Sequence, residues 1–219
     1  MGTATLAEIL ADTLRQDLRD GVYLCGERIA ESVIAKQFNV SQNTARDALK
    51  VLEGEGWLIK RPRHGMFVRR FDGLEAEELY TLRATLEQLV LEWAMQIMSE
   101  RAKFNLAHII AEARIQAGMK NDRALREAIG AFHEMILRSS NHPITMAVLQ
   151  PILNQCRLLT NLRQRHDPVN QDIYAAVLTL YGNLITHIRY DDRKAAQNTL
   201  YAIIMSEREQ VLSMLDLIV

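Results

Sequence analysis

The chain has little cysteine, proline or glycine and few aromatic residues for its length of 219 residues. Its two cysteines, Cys25 and Cys156, lie far apart, outside any CxxC or histidine-flanked spacing. This excludes a disulfide framework and a zinc knuckle, and it fits a reducing compartment. Four prolines and ten glycines beside 48% hydrophobic residues exclude a fibrous or low-complexity chain. The composition therefore predicts a folded, mostly helical globular protein.

Long apolar runs and a strong net charge are also missing. No run is long enough to span a bilayer, and acidic residues occur throughout residues 1–20, so we expect a cytoplasmic protein without a membrane span or export signal. The net charge of −1 hides an uneven distribution, because residues 41–70 contain seven Lys or Arg and three Asp or Glu. Such a local basic patch is expected where one small face meets a polyanion.

Signatures of common enzymes are absent as well. The sequence contains no phosphate-binding loop, no HExxH, no nucleophile elbow and no Rossmann glycine run. We expect no catalytic residues, no cofactor and no enzymatic activity. Turnover that survives removal of residues 1–70 would contradict this expectation.

The first seventy residues combine short helices with one hairpin. Apolar residues at helical spacing predict helices in "TLAEILADTLRQDLRD", in "ERIAESVIAKQFNV", and from an N-cap at Ser41 to Gly54 or Gly56. The following "WLIKRPRHGMFV" contains two short apolar strands around a basic Pro/Gly turn. Because this order is that of a winged helix-turn-helix, we predict such a DNA-binding domain at 1–70.

From about Leu74 onward every periodic segment is helical. The predicted helices span 74–99, 100–119, 122–139, 143–165, 169–190 and 192–217. We therefore predict a mainly α protein in which an all-helical effector-binding and dimerisation domain at 74–219 follows a hinge in "FVRRFDG".

The third helix and the hairpin turn carry the candidate DNA contacts. In a major groove, Gln and Asn can pair with adenine, Arg with guanine, and the Thr methyl group with thymine. A capped, solvated helix end and a solvated basic turn are the alternative interpretation, but their fixed order favours DNA. The predicted contacts are Ser41, Gln42, Asn43, Thr44, Arg46, Lys50, Arg61, Arg63, His64 and Gly65.

Two parts of the chain resemble one family of regulators. The stretch "GERIAESVIAKQFNVSQNTARDALKVLEGEGWLIKRPRHGMFV" resembles the N-terminal domain of bacterial GntR transcription regulators. The segments "LRATLEQLVLEWA", "FHEMILRSSNHP" and "RYDDRKAAQNTL" resemble the FCD-like bundle of the FadR-type subgroup, and six helices suit its VanR-like branch. The resemblance implies a homodimeric repressor that binds a palindromic operator in double-stranded DNA and a small organic effector, a carboxylate or sugar acid.

The sequence departs from many relatives on the DNA-binding face. Gln42 and Ser32 stand at positions where those relatives carry arginine, whereas Arg46 is retained. The resemblance thus implies DNA binding through Arg46 without fixing a base preference. Gln42 and Asn43 weakly favour A·T-containing steps.

Many members of the subgroup hold a divalent metal through one aspartate and three histidines. The matching positions here are Ile129, His133, Tyr181 and Ile203, so one ligand of the four remains. Shifting the register to recruit another donor would break the match through "IRYDDRKAA". We predict no metal site; a metal-responsive regulator and a winged-helix protein-interaction module remain as alternative functions.

The cavity implied by the resemblance suits an organic ligand. Its candidate contacts are Arg83, His133, Tyr181 and Arg157. Three of them have an alternative interpretation: Arg83 fits an i, i+4 ion pair with Glu87, His133 a hydrogen-bonded core position, and Arg157 a solvated or dimer-interface position.

Overall fold

The computed structural model describes residues 4–166 and 171–218. Its elements are α1 (Leu6–Arg19), β1 (Arg28–Ile29), α2 (Glu31–Gln37), α3 (Gln42–Gly54), β2 (Leu58–Arg61), β3 (Gly65–Val68), α4 (Gly73–Ile97), α5 (Glu100–Gly118), α6 (Asp122–Ser139), α7 (Pro143–His166), α8 (Gln171–Arg189) and α9 (Arg193–Ile218). The protein is mainly α, as the sequence predicts.

Local capping sets the ends of the N-terminal helices. Thr5 and Glu8 form a capping box at the start of α1, which satisfies backbone donors that the helix itself leaves free. The α2–α3 turn passes through Asn39, whose φ of 52° is in the left-handed region. Ser41 then caps α3 as predicted, because its side chain accepts a hydrogen bond from the backbone N–H of Thr44.

The three strands form one antiparallel sheet in the order β1-β3-β2. The predicted hairpin is present, with Leu58 opposite Val68 and Arg61 opposite Gly65. The prediction that the second helix includes Arg28 and Ile29 is wrong. These two residues pair with the other edge of β3, which satisfies backbone groups that would otherwise lie unpaired, and α2 begins only at Glu31.

The six predicted C-terminal helices are present, with ends that differ from the predicted ones by a residue or two. The predicted start of the fifth helix, at 169, lies outside the described residues. Helix α4 packs against α6, α7 and α9, while α5 packs against α6 and α8. None of the described helices is long and apolar enough to cross a membrane.

Helix α7 joins the winged-helix part to the bundle. The Asn161 side-chain amide donates to the carbonyls of Leu18 and Arg19, both at 3.1 Å, and Asn154 donates to the carbonyl of Glu55 at 2.9 Å. The Leu18 and Arg19 carbonyls belong to the last turn of α1, where a helix cannot satisfy its own acceptors. Buried apolar side chains of both parts meet in one continuous core.

Candidate functional site

The start of α3 presents amide and guanidinium side chains to solvent. Gln42, Asn43 and Arg46 are exposed, whereas Thr44 is half-buried. The Ser41 and Thr44 hydroxyls lie 2.8 Å apart, so both groups take part in the helix cap. The exposed side chains outside the cap are therefore Gln42, Asn43 and Arg46, of which Arg46 donates to Asn43 Oδ1 at 3.3 Å.

Arg46 is exposed but already paired. Its Nε donates to Glu31 Oε2 at 3.0 Å, its second terminal nitrogen lies 2.9 Å from the same oxygen, and this hydrogen bond raises the pKa of Arg46. A DNA contact by Arg46 must replace this ion pair on α2. Lys50, one turn further along α3, is also exposed and lies 3.1 Å from Asp47.

The wing turn is exposed from Lys60 to Gly65. Its backbone turns through Arg63 and Gly65, with φ of 64° and 95°. The Arg61 guanidinium lies 4.6 Å from the centre of the Phe67 ring, which holds its charge near the strand. Arg63 and His64 thus form the tip, and no side chain covers it among the residues that the structure describes.

A cavity of about 470 Å³ lies where the bundle meets the winged-helix part. The four predicted effector contacts, Arg83, His133, Tyr181 and Arg157, all line it. The structure therefore brings together residues from α4, α6, α7 and α8. Its volume is in the range of small-ligand sites.

At one end of the cavity, buried polar groups satisfy one another. Arg83 Nε donates to Glu87 at 2.6 Å, which confirms the expected i, i+4 pair, and another Arg83 nitrogen lies 2.8 Å from Glu207. His133 Nδ1 contacts Glu87, and His133 Nε2 lies 2.7 Å from the Tyr181 hydroxyl oxygen, within hydrogen-bond distance. We call these five residues the paired network; His133 is thus both a hydrogen-bonded core residue and a cavity residue.

The paired network shifts the titration of its members. Burial would raise the pKa of Glu87, but the neighbouring His133 and Arg83 hold that pKa well below its usual range. Burial raises the pKa of the Tyr181 hydroxyl, which keeps it protonated as a donor. Burial likewise raises the pKa of Cys156 to about 12, so this cavity thiol is unreactive at neutral pH.

The cavity residues do not fit the divalent metal of related proteins. Ile129 and Ile203, at two of the four ligand positions, line the cavity and offer no donor atom. Both nitrogens of His133 are engaged, and the Arg83 guanidinium lies 3.5 Å from Nε2. A permanent cation at this distance disfavours a second cation. The described residues also contain no cluster of three metal-ligating side chains.

Arg157 also lines the cavity, and we call the part of the lining formed by Arg157, Arg126 and Arg19 the Arg157 end. Its side chain is not fully solvated. It is half-buried and donates to the carbonyl oxygen of Arg126 at 2.8 Å. Burial lowers its pKa to about 10, and the nearby Arg126 and Arg19 add to this effect. Its side chain is drawn inward by the carbonyl oxygens of Arg19, at the end of α1, and Arg126, on α6.

Sequence reasoning missed several cavity residues. Gln16, Arg19 and Trp57 come from the winged-helix part, and no local pattern connects them to a bundle cavity. Arg126 had a detectable signal, because it precedes His133 by seven residues and therefore shares its helix face. Glu207 lies on the last helix and had none.

An exposed recognition helix, a basic wing and a helical bundle with a ligand-sized cavity define a winged-helix transcription regulator. Residues 6–68 match the family model of bacterial regulatory proteins of the gntR family, and residues 78–205 match the FCD domain. The chain therefore belongs to the GntR family of transcription regulators, in the group that carries an FCD domain, as its sequence resemblance implies.

Relatives and solved structures agree with this assignment. The gluconate operon transcriptional repressor of Bacillus licheniformis is 26% identical over 88% of this chain and 79% of its own length. The Nta operon transcriptional regulator of Aminobacter aminovorans is 41% identical over 32% of this chain and 34% of its own length. The fold is shared with E. coli McbR/YncC, with a TM-score of 0.83 at 17% identity over 98% of this chain and 99% of that one.

Proposed function

We propose that the protein is a cytoplasmic, homodimeric repressor whose DNA contacts are the start of α3 and the wing. In this proposal Gln42, Asn43 and Arg46 enter a major groove, with Lys50 near the phosphates. The wing tip, Arg61 to Gly65, meets the adjacent backbone or minor groove. A two-fold dimer would read a palindromic operator whose half-sites lie about 10 bp apart.

The observation that carries this proposal is the common exposure of these two features. Three polar side chains at the start of α3 and the basic wing tip are all open to solvent. The apolar residues behind them, Ala45, Ala48 and Leu49, are fully buried and hold α3 on the domain. This division of polar and apolar positions is what a recognition helix requires.

We also propose that the cavity binds a small organic acid that relieves repression. Arginines line it together with the Tyr181 hydroxyl and the His133 imidazole. Two relatives bear the name gluconate operon transcriptional repressor, so D-gluconate is a reasonable first compound to test. An effector can act only through its differential affinity for the DNA-competent and the released states.

The test of DNA binding starts from genomic fragments selected by the purified protein. On the selected fragment, Arg46→Ala should weaken binding about tenfold or more, because a bidentate Arg–guanine pair contributes on the order of 1–3 kcal/mol. Arg101→Ala, which removes an exposed charge on α5, should leave the affinity unchanged. Equal affinity of wild type and Arg46→Ala in a gel-shift titration would contradict the assignment of α3.

A substitution at Glu31 provides a second test in the same gel-shift titration. Glu31→Gln releases Arg46 from its ion pair and removes a negative charge from the DNA-binding face. Its affinity for the fragment should rise rather than fall. The alternative of a protein-interaction module predicts no strong salt dependence, whereas DNA binding should weaken steeply as salt rises.

A further inference from the structure

The Arg157 end of the cavity carries more positive than negative charge. Five arginines and three glutamates line the cavity as a whole. The three glutamates already have partners: Glu207 pairs with Arg83, whereas Glu127 and Glu134 pair with exposed arginines of α6. The positive charge that remains belongs to four arginines of the lining, which are Arg19, Arg126, Arg157 and Arg163.

We call Arg19, Arg126 and Arg157 the arginine cluster. Among the side chains that the structure describes, in residues 4–166 and 174–217, none of the three forms an ion pair with a carboxylate. Arg157 contacts main-chain oxygens, and Arg126 contacts the side-chain oxygen of Gln164. Neutral oxygens do not balance three guanidinium charges, so the cluster has capacity for an anion.

Three donors at the cavity are buried and have no partner among the described residues. They are Arg126 Nε, the indole Nε1 of Trp57 and, on α7, Arg163 Nε. Trp57 is fully buried and lines the cavity. A buried donor without a partner is costly, and a ligand oxygen would remove that cost.

The cluster and Trp57 come from both parts of the chain. Arg19 ends α1 and Trp57 directly precedes β2 of the wing, whereas Arg126 and Arg157 belong to the bundle. Trp57 is also fixed in the wing's base, because its backbone N–H donates to Leu52 at 3.0 Å and its carbonyl accepts from Arg69 at 3.1 Å. A ligand at this end would touch the DNA-binding domain directly.

We propose that an anionic ligand bridges the two domains in this cavity, with its acidic group on the arginine cluster and an oxygen accepting the Trp57 indole N–H. This inference rests on the effector cavity of the proposed function and adds its ligand chemistry and its route to DNA. The acidic group can be a carboxylate or a phosphate, which share the fork geometry that guanidinium groups recognise. Ligand binding thereby fixes the placement of the wing and α1 on the bundle.

Isothermal titration of the full-length protein tests the site without DNA. The probes are D-gluconate, inorganic phosphate and D-sorbitol, a neutral polyol, at matched ionic strength. We expect at least one of the two anions to bind and D-sorbitol not to bind. The anion that binds identifies the acidic group as carboxylate or phosphate. Absence of heat from both anions, or equal binding of D-sorbitol, overturns the proposal.

Four variants locate the bound anion. Arg126→Met and Arg157→Met should each weaken it about tenfold or more, since a charge-assisted pair is lost. Trp57→Phe, which keeps the ring and removes the donor, should weaken it about fivefold. Trp93→Phe is its matched control, because Trp93 stacks on His142 outside the cavity lining, and it should bind as wild type. Unchanged affinity in Arg126→Met and Arg157→Met overturns the site.

A gel shift with the anion that binds tests the bridging role separately from the proposed function as a DNA-binding repressor. Wild type should change its DNA affinity on addition of the anion, and Trp57→Phe should change less. If the protein binds DNA and the anion binds without changing the DNA affinity, the bridging role is wrong. The proposed function as a DNA-binding regulator is then retained. If no genomic fragment binds at all, the proposed function fails while the titration result remains valid.

Discussion

The arginines that line the cavity differ in their partners. Arg83 lies between two carboxylates, Glu87 and Glu207, and is almost completely buried. Arg157 and Arg126 have neutral oxygens as partners. A guanidinium that is ion-paired with carboxylates of the protein stabilises the fold. A guanidinium without such a carboxylate can form an ion pair with a ligand. The residue type alone therefore does not distinguish a structural arginine from a binding one.

The largest expected difference between the two kinds of arginine is in stability, and Arg83→Met should lose the most. This variant leaves Glu87 and Glu207 without their shared cation, so the free energy of unfolding should fall by about 3–5 kcal/mol. Arg138 is a matched control, because it forms an i, i+4 pair with Glu134 in which the arginine is 71% exposed. Arg138→Met should cost less than about 0.5 kcal/mol. Equal losses in urea unfolding would remove the distinction between the buried and the exposed pair.

Glu87→Gln should show a smaller, pH-dependent loss. Removing one charged hydrogen-bond partner costs about 1.5–3 kcal/mol at neutral pH. Because the pKa of Glu87 is lowered from 4.5 in the folded state, its contribution is present above pH 4.5 and is lost as pH falls towards the folded value of about 2. The difference in unfolding free energy between wild type and Glu87→Gln should shrink across this window. A constant difference from pH 7 to pH 3 would contradict the assignment.

Arg157→Met should change stability little, in contrast to Arg83→Met. The variant loses contacts to main-chain oxygens but also removes a desolvated charge near two other arginines. We expect a change of less than about 1 kcal/mol in the free energy of unfolding without ligand. A loss as large as that of Arg83→Met would show that both ends are structural.

Gly130→Ala should leave the free energy of unfolding almost unchanged and weaken anion binding at the Arg157 end of the cavity. A Cβ at Gly130 would lie 3.3 Å from the Arg157 guanidinium, which must move by a few tenths of an ångström. The gain in helix propensity, about 0.8–1 kcal/mol, offsets that contact. Gly118→Ala is the control, because a Cβ there meets nothing within 4 Å. Anion affinity should fall in Gly130→Ala and stay unchanged in Gly118→Ala.

The periodic elements could be predicted from sequence because their signals are local. Capping at Ser41 and the helical apolar repeats fix most helix ends. The strand Arg28–Ile29 could not be predicted, since it exists only through pairing with the distant residues Met66 and Phe67. A two-residue strand carries no periodicity of its own.

The cavity shows the same limit at the level of side chains. The resemblance placed Arg83, His133 and Tyr181 in one site, and the structure confirms that they line one cavity. The resemblance could not show that Glu207, more than a hundred residues away from Arg83 in sequence, completes the paired network. Nor could the resemblance show that Arg157 is half-buried, because that depends on where the carbonyls of Arg19 and Arg126 come to lie beside α7.

The contacts that α7 makes with the winged-helix part are largely to main-chain oxygens. Asn161 and Asn154 donate to carbonyls of Leu18, Arg19 and Glu55, whose positions depend on the backbone path and not on side-chain identity. These hydrogen bonds between α7 and the winged-helix part therefore do not depend on which side chains stand at positions 18, 19 and 55. Operator preference can therefore change in evolution, or be exchanged by design, while the attachment to the bundle is kept.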